Sequence, residues 1–145
     1  MADPFHIPCP QCGAVNRVPG DRLAAGPVCG RCKGALFPDK PVEVTDTTFH
    51  QQVERCDLPV VADFWAGWCG PCQMMAPVVD AAARNLRPEV RVVKVDTEQS
   101  QQTSARFGIR SIPTIILLRG GQEVDRVSGA MQAGQFEPWV RQRVA

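Results

Sequence analysis

Phe64-Trp65-Ala66-Gly67-Trp68-Cys69-Gly70-Pro71-Cys72 reads as the end of a strand, a short loop, and a helix that begins near the first cysteine. The aliphatic run before it makes Val60 to Phe64 a buried strand. After it, Cys72, Met75, Val79, Ala82 and Leu86 fall at helical spacing. Pro77 sits within that stretch, removes a backbone donor and is expected to bend the axis. A cysteine at a helix N-terminus faces unsatisfied N–H groups and the positive end of the dipole, which favour thiolate over thiol. Cys69 is therefore the expected nucleophile. Cys72, one turn on and facing inward, can reach the Cys69 sulfur and resolve a mixed disulfide. Gly70-Pro71 holds the two sulfurs close, because proline at a helix start fixes φ where no donor is needed.

Working outward, Val42 to Thr45 predicts a short strand. Thr45 or Asp46 can cap a helix whose Phe49, Val53 and Cys56 share one face. Val90 to Val95 returns to strand, and Glu98 to Phe107 is weakly amphipathic. Thr114 to Leu118 and Glu123 to Val127 flank Gly120-Gly121 as a hairpin. The last helix carries Phe136, Val140 and Val144, and Pro138 places its start near Gln135. The order βαβαβαββα gives an α/β fold, a central mixed sheet flanked by helices, because parallel strands need crossover helices.

Asp63 interrupts an apolar strand, where a charge is costly, so it is a candidate general base or proton relay for Cys72. Lys94 is similarly placed in Val92-Val93-Lys94-Val95 and reads equally well as an outward lysine at a strand end. Trp65 is assigned to packing, Trp68 to the rim of the site, and Trp139 to ordinary helix packing. Cys56 belongs to no pair and reads as a small apolar residue rather than a regulatory thiol.

With Trp-Cys-Gly-Pro-Cys, Asp63, Lys94, Pro77, the Ile112-Pro113-Thr114 turn and Gly129 in place, about the last 105 residues resemble the thioredoxin family. The resemblance implies a thioredoxin fold, a reducing potential, and a Cys69–Cys72 redox disulfide that acts on disulfides of target proteins. It implies recycling by an NADPH-dependent thioredoxin reductase and gives Lys94 a role in modulating Asp63. It also implies a cis Pro113 against the sulfurs, with the neighbouring backbone binding an extended substrate. Trp68, Gly70, Pro71, Ile112, Pro113 and Gly129 are thereby substrate-binding candidates.

Cys9-Pro10-Gln11-Cys12 and Cys29-Gly30-Arg31-Cys32 are separated by sixteen residues, a spacing that lets two knuckles supply four thiolates to one tetrahedral zinc. Gly13 and Gly34 permit the turns, Arg31 and Lys33 offset surplus negative charge, and His6 is incidental to a site that four cysteines close. The alternative is a pair of local disulfides, which a reducing compartment disfavours. Met1 to about Lys40 shows few aliphatic residues and no strong helical or strand period, so it cannot build a core alone. A small zinc-ribbon-like module over 1–38, a proline-bounded linker over 39–41 and the larger domain over 42–145 follow. This pairing is similar to the bacterial thioredoxin 2 type, and one structural zinc and no organic cofactor are expected.

The 145 residues carry 16 Lys+Arg against 15 Asp+Glu, which gives no electrostatic reason to expect nucleic acid or an anionic membrane as partner. No basic start followed by an apolar run and cleavage site is present, so a soluble, cytoplasmic, monomeric protein is expected. Six of seven cysteines fall in Cys-x-x-Cys pairs, which favours metal and redox chemistry over an extracellular disulfide framework. Two competing readings remain. One is an adaptor that uses the fold only for docking. The other is an exported oxidant or isomerase, which the Gly-Pro dipeptide and the missing signal segment disfavour.

Overall fold

Strands buried on both faces read as continuous aliphatic runs, and such strands form the centre of this molecule. In the computed structural model, which describes residues 3–145, β4 (Val60–Trp65) and β6 (Thr114–Arg119) lie side by side within a five-stranded sheet. The sheet also contains β3 (Val42–Val44), β5 (Arg91–Asp96) and β7 (Gln122–Ser128), in the order β3-β5-β4-β6-β7. Strands β3, β5 and β4 are mutually parallel, β6 is antiparallel to β4, and β7 is antiparallel to β6. The expected mixed sheet with flanking helices is therefore present. Helix α1 (Gly70–Leu86) and helix α3 (Ala133–Val144) cover one face. There Met75, Val79, Leu86, Phe136 and Val140 pack on Val61, Val92, Ile115 and Leu117.

Alternation along the strands turns Ala62, Phe64, Val93, Val95, Ile116 and Leu118 to the opposite face. Phe49, Val53 and Cys56 are buried there, on the shared face that their spacing predicts. Their segment is a single π-helical turn, His50–Glu54, closed by the Arg55 N–H donating to the His50 carbonyl at 3.1 Å, rather than an α-helix. Asp46 does not cap this turn. Its carboxylate accepts the amides of Gln102 and Thr103, at 3.2 and 2.8 Å, and so caps α2 (Gln101–Arg106). Helix α2 is shorter than the Glu98 to Phe107 pattern predicts, because the Glu98 and Gln99 amides turn back onto the Asp96 side chain. Helix α3 starts before Gln135 despite Pro138. The carbonyl that this proline cannot serve belongs to Gly134, which is exposed to water in the first turn.

The N-terminal segment departs from the expectation of no regular period. It forms an antiparallel hairpin of β1 (Pro4–Pro8) and β2 (Val15–Pro19), followed by a short 3-10 helix over Gly20–Ala25. The proline-rich strands mask the pattern in sequence. The module assigned to 1–38 begins on two residues outside the described ones. Its apolar side chains do not make a separate core: Ile7, Val18 and Leu36 join Phe49, Val53, Val60 and Phe64 in one cluster. The Asp57 N–H also donates to the His6 carbonyl, and Asp57 accepts from the His6 amide and imidazole.

Candidate redox and metal sites

Strand β4 ends at Trp65, whose carbonyl accepts both the amide and the hydroxyl of Thr97. The loop that follows is held by Gln73, whose Nε2 donates to the Gly67 carbonyl at 2.7 Å. Cys69 is the N-cap of α1, and its sulfur accepts the Cys72 N–H at 3.2 Å, the direct form of the helix-start stabilisation expected for it. Cys69 and Cys72 form a disulfide with Cα atoms 5.2 Å apart. The two residues are 3% and 4% exposed, so position on the helix distinguishes them more than burial does.

The rim is apolar and open. Trp68 is 69% exposed, and Gly70 and Pro71 lie beside it at the surface. Across from them the Ile112–Pro113 peptide is cis, and the Ile112 carbonyl oxygen lies 3.7 Å from Cys69 Sγ. The Thr114 hydroxyl pins this loop by donating to the Ser111 carbonyl. Gly129, at φ +102°, brings its N–H to the Pro113 carbonyl at 2.8 Å, a conformation that favours glycine. Ala66, Trp65 and Ile112 pack with the two cysteines, Trp68, Gly70 and Pro71 adjoin them in the chain, and Gly129 holds the carbonyl of Pro113.

Asp63 is 3% exposed and lies on the sheet face covered by α1. Its Oδ1 has no hydrogen-bond partner among the described residues. Burial pushes its carboxyl up to about 7, against the pull of Lys94 and with a push from Glu43. Lys94 is its cross-strand neighbour on β5, half-buried, with Nζ over the Trp65 ring.

The two N-terminal knuckles repeat one geometry. Cys9 and Cys29 each accept an amide at their sulfur two residues on, from Gln11 and Arg31 at 3.4 Å. The carbonyls of Cys9 and Cys29 each accept an amide from the fourth residue on, from Gly13 and Lys33 at 2.9 Å. Gly13 has φ +78°, and the matching turn of the second knuckle falls to Lys33, at φ +66°, rather than to Gly34. Arg31 is exposed, and the Lys33 ammonium donates to the Gly30 carbonyl. The sulfurs of Cys9, Cys12, Cys29 and Cys32 all lie within 4.8 Å of one another, with Cys9–Cys32 at 3.5 Å and Cys12–Cys29 at 3.6 Å. A tetrahedron of sulfurs about 2.3 Å from zinc has edges of about 3.8 Å, so this donor set fits that ion. In the absence of a metal the thiols of Cys29 and Cys32 differ in acidity. The Cys32 amide, Asn16 and the Arg31 amide hold the Cys29 thiol down at about 6. Cys32 accepts the Gly34 amide yet is pushed up to about 11 by Cys9, by burial and by the other two thiols.

Comparison with known proteins agrees with both sites. The family model described as "Thioredoxin" matches residues 40–142, and the zinc-ribbon model described as "Thioredoxin 2, N-terminal" matches residues 8–34. This chain belongs to the thioredoxin family. Among curated relatives, "Thioredoxin C-3" of Corynebacterium nephridii is 44% identical over 138 residues, covering 95% of this chain and 94% of its own. "Thioredoxin 1" of a Nostoc species is 53% identical over 89 residues, covering 61% and 83%. "Thioredoxin" of Rickettsia prowazekii is 40% identical over 101 residues, covering 70% and 96%.

Within this chain, sequence reasoning missed several residues that shape the sites. Thr97 and Gln73 hold the carbonyls of Trp65 and Gly67, and neither belongs to a motif. Arg91, at the start of β5, and Gln52 are buried polar residues hydrogen-bonded to each other and to the carbonyls of Leu36 and Cys9. Arg91 was legible in principle, because a lone charge at the head of an apolar strand calls for a partner. His6 has a structural role with Asp57 and lies outside the four-sulfur group. Cys56 is fully buried, and burial pushes its thiol up.

Proposed function

We propose that this chain reduces disulfides in target proteins by dithiol-disulfide exchange, with Cys69 as attacking and Cys72 as resolving residue. The observation that carries this reading is Cys69 at the start of α1, accepting the Cys72 amide and disulfide-bonded to it. In the reduced protein the Cys69 thiolate attacks one sulfur of a substrate disulfide. A Cys69–substrate disulfide forms and the other substrate sulfur leaves as thiolate. Cys72 gives its proton to the Asp63 carboxylate and attacks Cys69 Sγ. That displaces the second substrate thiolate and leaves the Cys69–Cys72 disulfide, two electrons having passed to the substrate. Lys94 tunes Asp63. Trp68, Gly70 and Pro71 supply the docking rim, and Ile112, Pro113 and Gly129 shape a backbone edge for an extended substrate segment.

An NADPH-dependent thioredoxin reductase then restores the dithiol. Zinc held by Cys9, Cys12, Cys29 and Cys32 has a structural role and cross-links the two knuckles. We assign the ribbon to 1–38, the linker to 39–41 and the catalytic domain to 42–145, and place the monomeric protein in the cytoplasm.

The test is insulin reduction driven by NADPH and thioredoxin reductase, alongside binding to random-sequence DNA. Turnover that is lost with both Cys69→Ser and Cys72→Ser, without DNA binding, is expected. DNA binding without turnover overturns the proposal in favour of an adaptor.

A further inference from the structure

A buried charge must be paired or solvated by strong dipoles, and Arg91 has no obvious pairing. It heads β5, is 4% exposed, and points to the face shared with the N-terminal hairpin. No carboxylate within the described residues forms an ion pair with it. Its Nη2 donates to the Leu36 carbonyl at 3.0 Å and its Nη1 to Gln52 Oε1 at 3.1 Å. Gln52, itself 4% exposed, passes the contact on: its Nε2 donates to the carbonyl of Cys9 at 2.8 Å.

Four thiolates around one divalent cation leave a surplus of negative charge. Arg31 and Lys33, to which the sequence assigns its compensation, lie in solvent, where a cation does little. Arg91 is buried, and one side chain, Gln52, separates its guanidinium from the carbonyl of the ligand Cys9.

We infer that Arg91 is an outer-sphere positioning residue of the four-cysteine metal site. Its buried guanidinium supplies the counter-charge of the tetrathiolate centre, and Gln52 ties that charge to the backbone of Cys9. The inference rests on the zinc reading above. It also joins the metal site to the sheet of the redox site, since β5 carries Arg91 at its start and Lys94 three residues further on, on the opposite face. Outer-sphere partners of this kind typically change metal affinity by about 10–100-fold when removed.

The experiment is competition for zinc between the full-length protein and a chromophoric chelator, run on wild type, Arg91→Met, Arg91→Lys and Gln52→Leu. Arg91→Met is expected to weaken zinc binding by at least about tenfold, with Arg91→Lys retaining most of the wild-type affinity. The lysine variant separates charge from hydrogen bonding, because it keeps the former and cannot donate to Leu36 and Gln52 at once. Equal loss in both Arg91 variants, or loss in neither, overturns the inference.

Should Arg91→Met not fold, the cadmium-loaded Gln52→Leu protein decides. A shifted cadmium-113 resonance with weakened zinc binding supports the link, and wild-type values for both overturn it. A wild-type protein that holds no zinc instead overturns the zinc reading itself.

Discussion

Lys94 is the direct cross-strand partner of Asp63, yet no ion pair joins them: the ammonium lies 4.3 Å from the centroid of the Trp65 ring. The ring face and the cation attract each other, which holds the charge beside the redox loop without quenching the carboxyl. Glu43, exposed on β3, is the partner of Lys94 on its other side. Glu43, Lys94 and Asp63 therefore form one row across three parallel strands.

Removing members of that row moves the Asp63 titration in opposite directions. Lys94→Met takes away the attraction that lowers it, so the Asp63 midpoint rises above about 7. Glu43→Gln takes away a repulsion, so the midpoint falls by a smaller amount. Carbon-13 NMR of the Asp63 carboxyl checks both, and a shift of the same sign in the two variants contradicts the arrangement.

Asp63→Asn separates stability from chemistry. The folded carboxyl is raised to about 7 from 3.8, so its favourable contribution is complete below 3.8 and lost as pH climbs through about 7. The asparagine variant is expected to match wild type in acid and to exceed it above neutrality by on the order of 4 kcal/mol. Its disulfide exchange should be slower. Denaturant melts across that pH range, with stopped-flow exchange on the same samples, provide the measurement.

The two catalytic cysteines are expected to fail differently. Cys72→Ser still attacks but cannot resolve, so it accumulates mixed disulfides through Cys69. Cys69→Ser forms none. Non-reducing gels of cell extracts incubated with each variant read this directly and also recover the substrates. Adducts on Cys69→Ser alone would reverse the assignment.

Withdrawing the metal should weaken the whole molecule rather than the ribbon alone, because Ile7, Val18 and Leu36 pack in one cluster with Val53, Val60 and Phe64. Calorimetry of zinc-loaded and chelator-treated protein is expected to give a single transition that moves down in temperature. A main transition unmoved by chelation would show the two parts to be energetically independent.

Asp46→Ala removes three hydrogen bonds from the first turn of α2, including one from the Thr103 hydroxyl. The Thr103 hydroxyl and amide hold the Asp46 carboxyl below its ordinary value, so the stabilisation is present above 3.8 and fades as pH falls through the lowered value. Thermal melts should show a loss of roughly a few degrees at neutral pH and none in strong acid.

The redox motif and the four-cysteine pattern were legible because each needs fixed residue types at short spacing, and the sheet because Val60 to Phe64, Asp63 apart, and Ile115 to Leu118 are apolar runs. What sequence could not show were side chains that act at a distance in the chain. Asp46 precedes a plausible helix of its own, yet it serves α2, 56 residues on. Gln52 looks like one face of a helix, and only the fold brings Cys9 to it. The β1–β2 hairpin escaped notice because prolines at its ends read as loop residues, although Pro4, Pro8 and Pro19 all sit where the ladder terminates.

The single apolar cluster under the hairpin bears on how this protein can be cut, grafted or inherited. A chain severed at the linker would keep every residue of the redox site, yet it would carry a wet scar where Ile7, Val18 and Leu36 had lain, with Val53 and Leu58 beneath it. Such a fragment would be drawn to other apolar surfaces, and its solubility would suffer before its chemistry did. Anyone transplanting the ribbon onto another scaffold would have to bring a matching floor. The two parts exchange as a pair or with substitutions on both sides of that seam.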